Sequence, residues 1–430
     1  MQKDDLLRLL RDPNLIPSEM QILLSNIAAQ AAAVGMPCYL VGGSVRDLLL
    51  SRPVKDLDVV VEGDAIKLGT ALVKKFGGRL TRHDKFRTAI WHLPETRNPS
   101  TSLRASLTPD TSTPDTLDLI TARKETYGDP GALPIVTPAS IEDDLRRRDF
   151  SLNAMAIRMD GDHFGELYDP LGGQNDLEQK LIRVLHPRSF IDDPTRIFRA
   201  IRYEQRYAFI LHHSSFILIN PESLAVLSKM SGERIRHELD LIFEEEKPSR
   251  TILRVGDLGI LKSIHSALPP FSPNYAAFLD MNPIMDISAS RTTMGYMLWL
   301  MDLVEDEILS IAKRLDFISD LTRSIIAVSQ LKKSLPVLVN SKPSVWTFAL
   351  EKFPPHSVYA VYLVTRENSL LDYLSIWRHI KSQTTGNDLI AKGLQPGPRF
   401  GEIFSQLRAA WLDGVVSSKE QEAELLHTML

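Results

Sequence analysis

An α+β fold is what this chain of 430 residues predicts: a head over residues 1–185 built on a small mixed β-sheet, then a remainder that is helical throughout. Three observations predict it. Short apolar runs of strand length recur in the first part and thin out from about Asp193 onward. Beyond that point apolar residues return at helical spacing, and prolines at Pro269-Pro270, Pro336, Pro343 and Pro354-Pro355 break the helical part into candidate subdomains. The chain is also too long for one ordinary core, so several domains are expected. We place them at 1–185, 186–250, 251–345 and 346–430.

Taken in order, the first ~35 residues carry apolar positions at helical spacing, Leu6, Leu9 and Leu10, then Ile22, Leu23 and Ile27. Pro37 to Val41 reads as a short strand ending in Gly42-Gly43. Ser44 with Asp47 three residues on has the pattern of a capping box and predicts a helix there. Asp56 to Val61 alternates as a strand, Ala65 to Phe76 as a helix, and Phe86 to His92 again as a strand. Residues 96–116, rich in Ser, Thr and Pro, read as an exposed loop before strand character returns at Leu117 to Thr121. Arg147 to Ala154 leads into a strand and turn, and Asp162 to Leu185 reads as a hairpin closing the head.

Composition excludes several classes. Hydrophobic content of 43% and charged content of 24% are those of an ordinary globular protein. One cysteine, Cys38, rules out an internal disulfide and suits a reducing cytoplasm; set in an apolar run, it reads as buried filler. The N-terminus is charged through its apolar residues and lacks a signal-peptide core. The best candidate for an apolar span, Met294 to Val304, is too short to cross a bilayer and reads as a buried helix. A net charge of −4 and pI near 6.3 neither require nor exclude nucleic acid. Locally, Arg183, Arg188, Arg196, Arg199, Arg202 and Arg206 form a basic stretch. Zinc spacing, a Walker loop, a Ser-His-Asp set and the histidine pattern of an HD phosphohydrolase are not found, His83-Asp84 standing alone.

Two constellations carry chemistry. Gly42-Gly43 between strand and helix lets backbone approach a phosphate at a helix N-terminus. Asp56 and Asp58, two apart on a strand, project to one face, where neighbouring carboxylates repel unless a hard dication lies between them. That pairing serves phosphoryl transfer by two metal ions.

The run Leu40-Val41-Gly42-Gly43-Ser44-Val45-Arg46-Asp47, followed by Lys55-Asp56-Leu57-Asp58, resembles the first motif of the class II tRNA nucleotidyltransferase and poly(A) polymerase family. The resemblance continues, in order, through Asp118 to Arg123, Arg147 to Ala154, Asp169 to Gly173, Asp192 to Arg196, Glu233 to Arg236, and Gly386 to Pro398. It implies a catalytic head, a base-reading neck, a helical body, and a tail that grips the tRNA elbow. By the same resemblance Asp56 and Asp58 hold two Mg2+ ions and Asp118 is the third catalytic carboxylate. It also implies that CTP and ATP are added to a tRNA 3′ end without a nucleic-acid template. Gly42, Gly43, Arg46, Arg148 and Asn153 would contact the triphosphate side, and Asp149 the ribose.

Asp193 and Arg196 admit two roles. Before Pro194, Asp193 is a natural N-cap. Three apart on one helix face, the pair also sets an acceptor beside a donor fork. An Asp takes the exocyclic amine of cytosine or adenine while an Arg donates to the ring acceptor; uracil and guanine reverse both contacts. The resemblance implies this protein-template role, with Asp192 standing where many members carry Glu. Arg199, Arg202 and Arg206 continue on one side, either toward triphosphate or RNA or as a solvated face. The family's C-to-A switching loop falls between Phe86 and Asp118, where this chain departs from the common pattern. Addition of CCA, of CC alone, of the terminal A alone, or of poly(A) therefore all stay open, as do a noncatalytic RNA-binding role and a monomeric or dimeric state.

Overall fold

The computed structural model describes residues 2–84, 87–94, 115–281 and 289–430. They gather into two compact units, residues 1–230 and 231–430.

The first unit is organised by a seven-stranded mixed sheet. Its strands are β1 (Cys38–Val41), β2 (Asp58–Val61), β3 (Arg79–His83), β4 (Thr88–His92), β5 (Thr116–Thr121), β6 (Ala156–Arg158) and β7 (Leu167–Tyr168). Their spatial order is β3-β4-β5-β2-β1-β6-β7. β2 and β5 run parallel, in register from Asp58 against Asp118 to Val61 against Thr121, and the other neighbours are antiparallel. β1 is buried along its length, which suits its run Cys-Tyr-Leu-Val in the middle of a sheet covered on both faces. β5 alternates instead: Leu117, Leu119 and Thr121 are buried, while Thr116 and Asp118 are exposed.

Helices α1 (Gly43–Leu49), α2 (Ala65–Phe76), α3 (Ile141–Arg146) and α4 (Thr195–Tyr207) place the chemistry. α2 matches the stretch read from sequence and is capped by Asp64, whose carboxylate accepts from the backbone N–H of Ile66 and Lys67. α3 lays Ile141 and Leu145 onto a core made with Tyr39, Val41, Val60, Ala122, Ala154 and Ala156. A separate hairpin pairs Arg123–Thr126 with Ile135–Pro138.

Four local expectations change. Ser44 is not an N-cap: α1 starts at Gly43, and the Ser44 hydroxyl instead donates to the Asp56 carbonyl (2.8 Å) and accepts from the Asp58 amide (3.2 Å). It thereby ties α1 to the approach of β2. Asp56 itself lies in a bend before β2, so the carboxylate pair is one strand residue and one loop residue. Residues 162–185 are not a hairpin; β7 is followed by the helix Gly173–Glu178, and Leu181–Ile182 pairs in parallel with Ile210–Leu211. Pro336 does not precede a break but lies inside the helix Ser319–Leu338, in its last turn; it forgoes one intrahelical bond, and the helix ends two residues later. Residues 96–114 of the Ser/Thr/Pro-rich loop, and Phe86, lie outside the described residues.

The second unit is helical among the described residues. Pro248, Pro273, Pro343, Pro355 and Pro398 each stand in the first turn of a helix, where a missing N–H is harmless and the fixed φ is already helical. Its core includes an aromatic cluster of Phe243, Tyr296, Trp299, Phe271 and Phe317. Met297 to Leu300 are buried in the helix Arg291–Leu300, and no described helix is long and apolar enough to cross a membrane.

Candidate active site

Three carboxylates gather at one end of the β2–β5 pair. Asp58 and Asp118 are direct neighbours on adjacent parallel strands, whose spacing is about 4.8 Å. The alternation of β5 turns Asp118 to the face opposite its buried leucines. Asp56 enters from the bend that Ser44 clamps. Asp58 is half-buried, Asp56 and Asp118 exposed. None of the three side chains has a hydrogen bond or ion pair among the described residues. Burial pushes the Asp58 carboxyl above its ordinary range; Arg148 and Arg46 pull it down, and the charges of Asp118 and Asp56 raise it further.

Neighbouring carboxylates without donors suit a hard divalent cation. Among the described residues no three such side chains close around one point. The neighbouring pair Asp58 and Asp118 suits magnesium, which takes one or two carboxylates and completes its octahedron with water and substrate phosphate.

Gly42 borders these acids. Its φ of +68° favours glycine, and a Cβ there would lie 2.4 Å from Arg148 Nη1 and 3.5 Å from Asp58 Oδ2. Its hydrogen is what lets a guanidinium and a carboxylate share that face of the loop. Gly43 is less constrained, since a Cβ would meet only Arg46 at ordinary contact distance. Arg148 donates to Asp144 (Nη2 to Oδ2, 3.0 Å) and to the Asn153 carbonyl (3.4 Å).

Arg46 and Asn153 are buried and joined: Arg46 Nη1 donates to Asn153 Oδ1 at 2.7 Å while its Nε and Nη2 grip Asp47. Asn153 Nδ2 in turn donates to Asp149 Oδ1 at 2.9 Å. Asp149 has both oxygens engaged, Oδ1 also by the Phe150 amide (2.8 Å) and Oδ2 by Arg199 Nε and Nη2 (2.8 and 2.6 Å). Burial alone would raise its carboxyl, but Arg199 and these donors hold it down at about 2.

On α4 the two readings of Asp193 meet. Asp193 is extended, and its Oδ1 accepts from the Thr195 amide (3.2 Å) and hydroxyl (2.7 Å), so it does cap the helix start. Arg196 is 5% exposed and donates to the Ser189 hydroxyl (2.8 Å) and the Arg147 carbonyl (2.9 Å). Two of its five N–H groups are thus committed to holding it in place. Tyr127, after the hairpin's first strand, lies close enough that its phenol feels both residues. Burial pushes it to about 12; Arg196 opposes that, while Glu125 and Asp193 add to it.

The arginine stripe is not one face. Arg202 is buried, Arg206 is exposed, and Arg199 is turned to Asp149. Sequence reasoning also missed the two tyrosines that join α4 to the glycine loop. The Arg46 guanidinium lies 5.3 Å from the Tyr203 ring centroid and 4.8 Å from that of Tyr207, and Tyr207 donates to Asp47. Their spacing, four apart on a helix carrying an arginine stripe, was the available signal. Cys38 is buried, its thiol pushed up to about 12, as inert as its apolar setting implies.

With that geometry in hand, the likenesses are specific. Residues 38–183 match the poly A polymerase head domain. An A-adding tRNA nucleotidyltransferase of Geobacter sulfurreducens is 32% identical over 95% of this chain and 47% of its own length. Another, from Halalkalibacterium halodurans, is 32% identical over 93% of this chain and 90% of its own. The chain thus spans about half of the first relative and nearly all of the second. Among solved structures, the apo form of a CCA-adding enzyme superposes with a TM-score of 0.81 at 28% identity, over 100% of this chain and 99% of that one.

Proposed function

The chain belongs to the tRNA nucleotidyltransferase family, and from that premise we propose that it transfers AMP from ATP to a tRNA ending in CC, completing the 3′ terminus. The observation that carries the chemistry is the in-register pair Asp58–Asp118 beside Gly42 and Arg148. The choice of A rests on two A-adding relatives that are each 32% identical over more than nine-tenths of this chain, against 27% for a CC-adding relative that spans as much of it.

In this reading the 3′-hydroxyl attacks the α-phosphate of ATP and pyrophosphate leaves. Asp56 and Asp58 would hold two magnesium ions, with Asp118 at the hydroxyl side; when bound, the ions would supply Lewis-acid stabilisation of the charge that develops on phosphate. Gly42, Gly43, Arg46, Arg148 and Asn153 orient the triphosphate. Asp149 takes the ribose hydroxyls in exchange for Arg199, whose freed fork then meets phosphate. Asp193 accepts from the adenine amine and Arg196 donates to N1 through the N–H groups it has left. Arg202, buried under the same helix, keeps α4 seated. Residues 1–185 do the chemistry and 186–250 read the base, while 251–345 form the helical body and 346–430 bind tRNA through shape and backbone. The work belongs in the cytoplasm, where tRNA and NTPs meet.

Addition of all of CCA is the second reading, favoured by the structural neighbour of matching length. Three tRNAs, ending before CCA, after C and after CC, incubated with labelled ATP or CTP and sized to one nucleotide, separate the two. The proposal expects one A on the CC-ending tRNA and no CMP on any. CMP on the first tRNA would establish CC or CCA addition instead.

A further inference from the structure

We infer that Asp144, which touches no substrate, is the positioning residue that fixes the phosphate-side arginine and the base-reading arginine from a single point. The inference rests on the reading just given.

Asp144 lies on the buried side of α3 with Ile141 and Leu145, and has no solvent exposure. Its Oδ1 accepts from Arg147 Nε and Nη2 (2.9 and 2.7 Å) and from the Arg123 amide (3.3 Å). Its Oδ2 accepts from Arg148 Nε and Nη2 (3.3 and 3.0 Å). One carboxylate thus divides its two oxygens between two successive arginines, three and four residues on. Burial raises its carboxyl, but the two guanidiniums outweigh that and hold it below the usual range.

From this point two arms extend. Arg148 reaches the Gly42 face beside Asp58. Arg147 offers its carbonyl to Arg196 Nη2 at 2.9 Å and its own Nη1 to Glu125 at 3.0 Å. Glu125 accepts in turn from Arg123 (3.1 Å) and from the Tyr127 hydroxyl (3.1 Å), beside Arg196 and Asp193. Charge alternates along the series Arg123, Glu125, Arg147, Asp144, Arg148, Asp58.

Mere stability does not call for such an arrangement, because a buried ion cluster is often matched or exceeded by packed apolar side chains. What the cluster supplies is a fixed spacing between the group that meets phosphate and the group that meets the base. Displacements of about 1 Å remote from the reacting atoms cost about 100-fold in rate.

The test uses full-length Asp144→Asn, whose amide offers an acceptor to one arginine but N–H to the other. With tRNA ending in CC, the KM for ATP is expected to rise and the ATP-over-GTP preference to fall together, each about 10- to 100-fold. A variant that melts earlier yet keeps wild-type KM and base choice would show a purely structural role and overturn the inference. Where Asp144→Asn does not fold, Arg148→Lys and Arg147→Lys decide, since each keeps the charge and removes the fork. Arg148→Lys is expected to raise the KM for ATP with base choice kept, and Arg147→Lys to erode base choice with KM kept. The same parameter moving in both, or none moving in either, overturns it. A wild-type protein that extends no tRNA would strike the parent reading instead. ATP affinity of wild type and Asp144→Asn, titrated without tRNA, then still tests the phosphate arm.

Discussion

Asp56, Asp58 and Asp118, at the start of β2 and on β5, and Asp144 and Asp149, on α3 and just beyond it, are the same side chain put to opposite uses. The first three have no hydrogen-bond donor among the described residues, and burial and mutual repulsion raise the carboxyl of Asp58. The last two have both oxygens filled by arginine, amide or backbone N–H, and their carboxyls lie below the ordinary range. Acids short of donors are poised for an external cation; acids saturated with donors hold the protein's own cations in place. In this head, function divides carboxylates by how many N–H groups face them.

The largest effect expected from breaking this contrast is on the first set. Asp58→Ala and Asp118→Ala should each bring AMP incorporation below detection while tRNA affinity stays within a few-fold, because these acids would hold ions and do not grip RNA. Single-turnover incorporation and filter binding at one salt concentration check both halves. Appreciable incorporation by either variant would falsify the assignment of the acid cluster as the catalytic centre.

Next comes base choice. Arg196→Ala removes a charged donor to the base, worth roughly 1.5–3 kcal/mol, so discrimination against GTP and UTP should fall by about one to two decades. Arg196 also holds Ser189 and the Arg147 carbonyl. Ser189→Ala is therefore the companion variant, removing one support while leaving the reader. Comparable kcat/KM losses for all four NTPs in Arg196→Ala, with preference unchanged, would reduce Arg196 to a structural clamp.

The sequence made the first set legible and the second only partly so. Asp56, Asp58 and Asp118 could be read because motif spacing and strand alternation report which side chains share a face. Even there Asp56 proved to be a loop residue, since the Ser44 hydroxyl, read as a helix cap, serves the approach to β2 instead. The saturation of Asp149 was not legible: its partner Arg199 is fifty residues away, and only the packing of α4 against Phe150 and Asn153 brings them together. In the sequence Asp144 is one of three successive acids, Glu142 to Asp144, just before three arginines, with nothing to mark it out. That it holds Arg147 and Arg148, and which oxygen faces which, depends on α3 burying that side against Ile141 and Leu145. Nothing local to Tyr203 and Tyr207 marks the Arg46 guanidinium that lies against both rings. Periodicity reports a residue's own face, whereas these contacts depend on what another element brings to it.

A smaller effect, on stability, separates the second set from the first. Asp149 in the folded chain sits at about 2, below its ordinary 3.8. A depressed carboxyl contributes stability that is present above its unfolded value and lost as pH falls through the folded one. Asp149→Asn should therefore cost on the order of 2 kcal/mol at pH 7. The gap to wild type should close as pH falls from about 4 toward about 2. Urea midpoints at stepped pH read it; a constant gap across that window would mean the loss is one of shape and not of charge.

The smallest effect has the opposite sign. Asp58 is raised by burial first and by Asp118 and Asp56 besides, with Arg148 and Arg46 only partly offsetting them. A raised carboxyl favours the folded state below its unfolded value, and that advantage is lost as pH rises through the folded one. At pH 7 ionised Asp58 is therefore a net cost to the metal-free fold, and no described residue donates to it that an amide would leave unpaired. Asp58→Asn has nearly the same shape, so in chelator at pH 7 it should melt slightly above wild type, by a degree or a few. The advantage should shrink as pH falls and wild-type Asp58 takes up its proton. Magnesium should reverse the order, raising the wild-type Tm by binding the folded state and leaving the variant where it was. A variant that melts below wild type in chelator, or that gains as much from magnesium, would mean that Asp58 already has its partner within the chain.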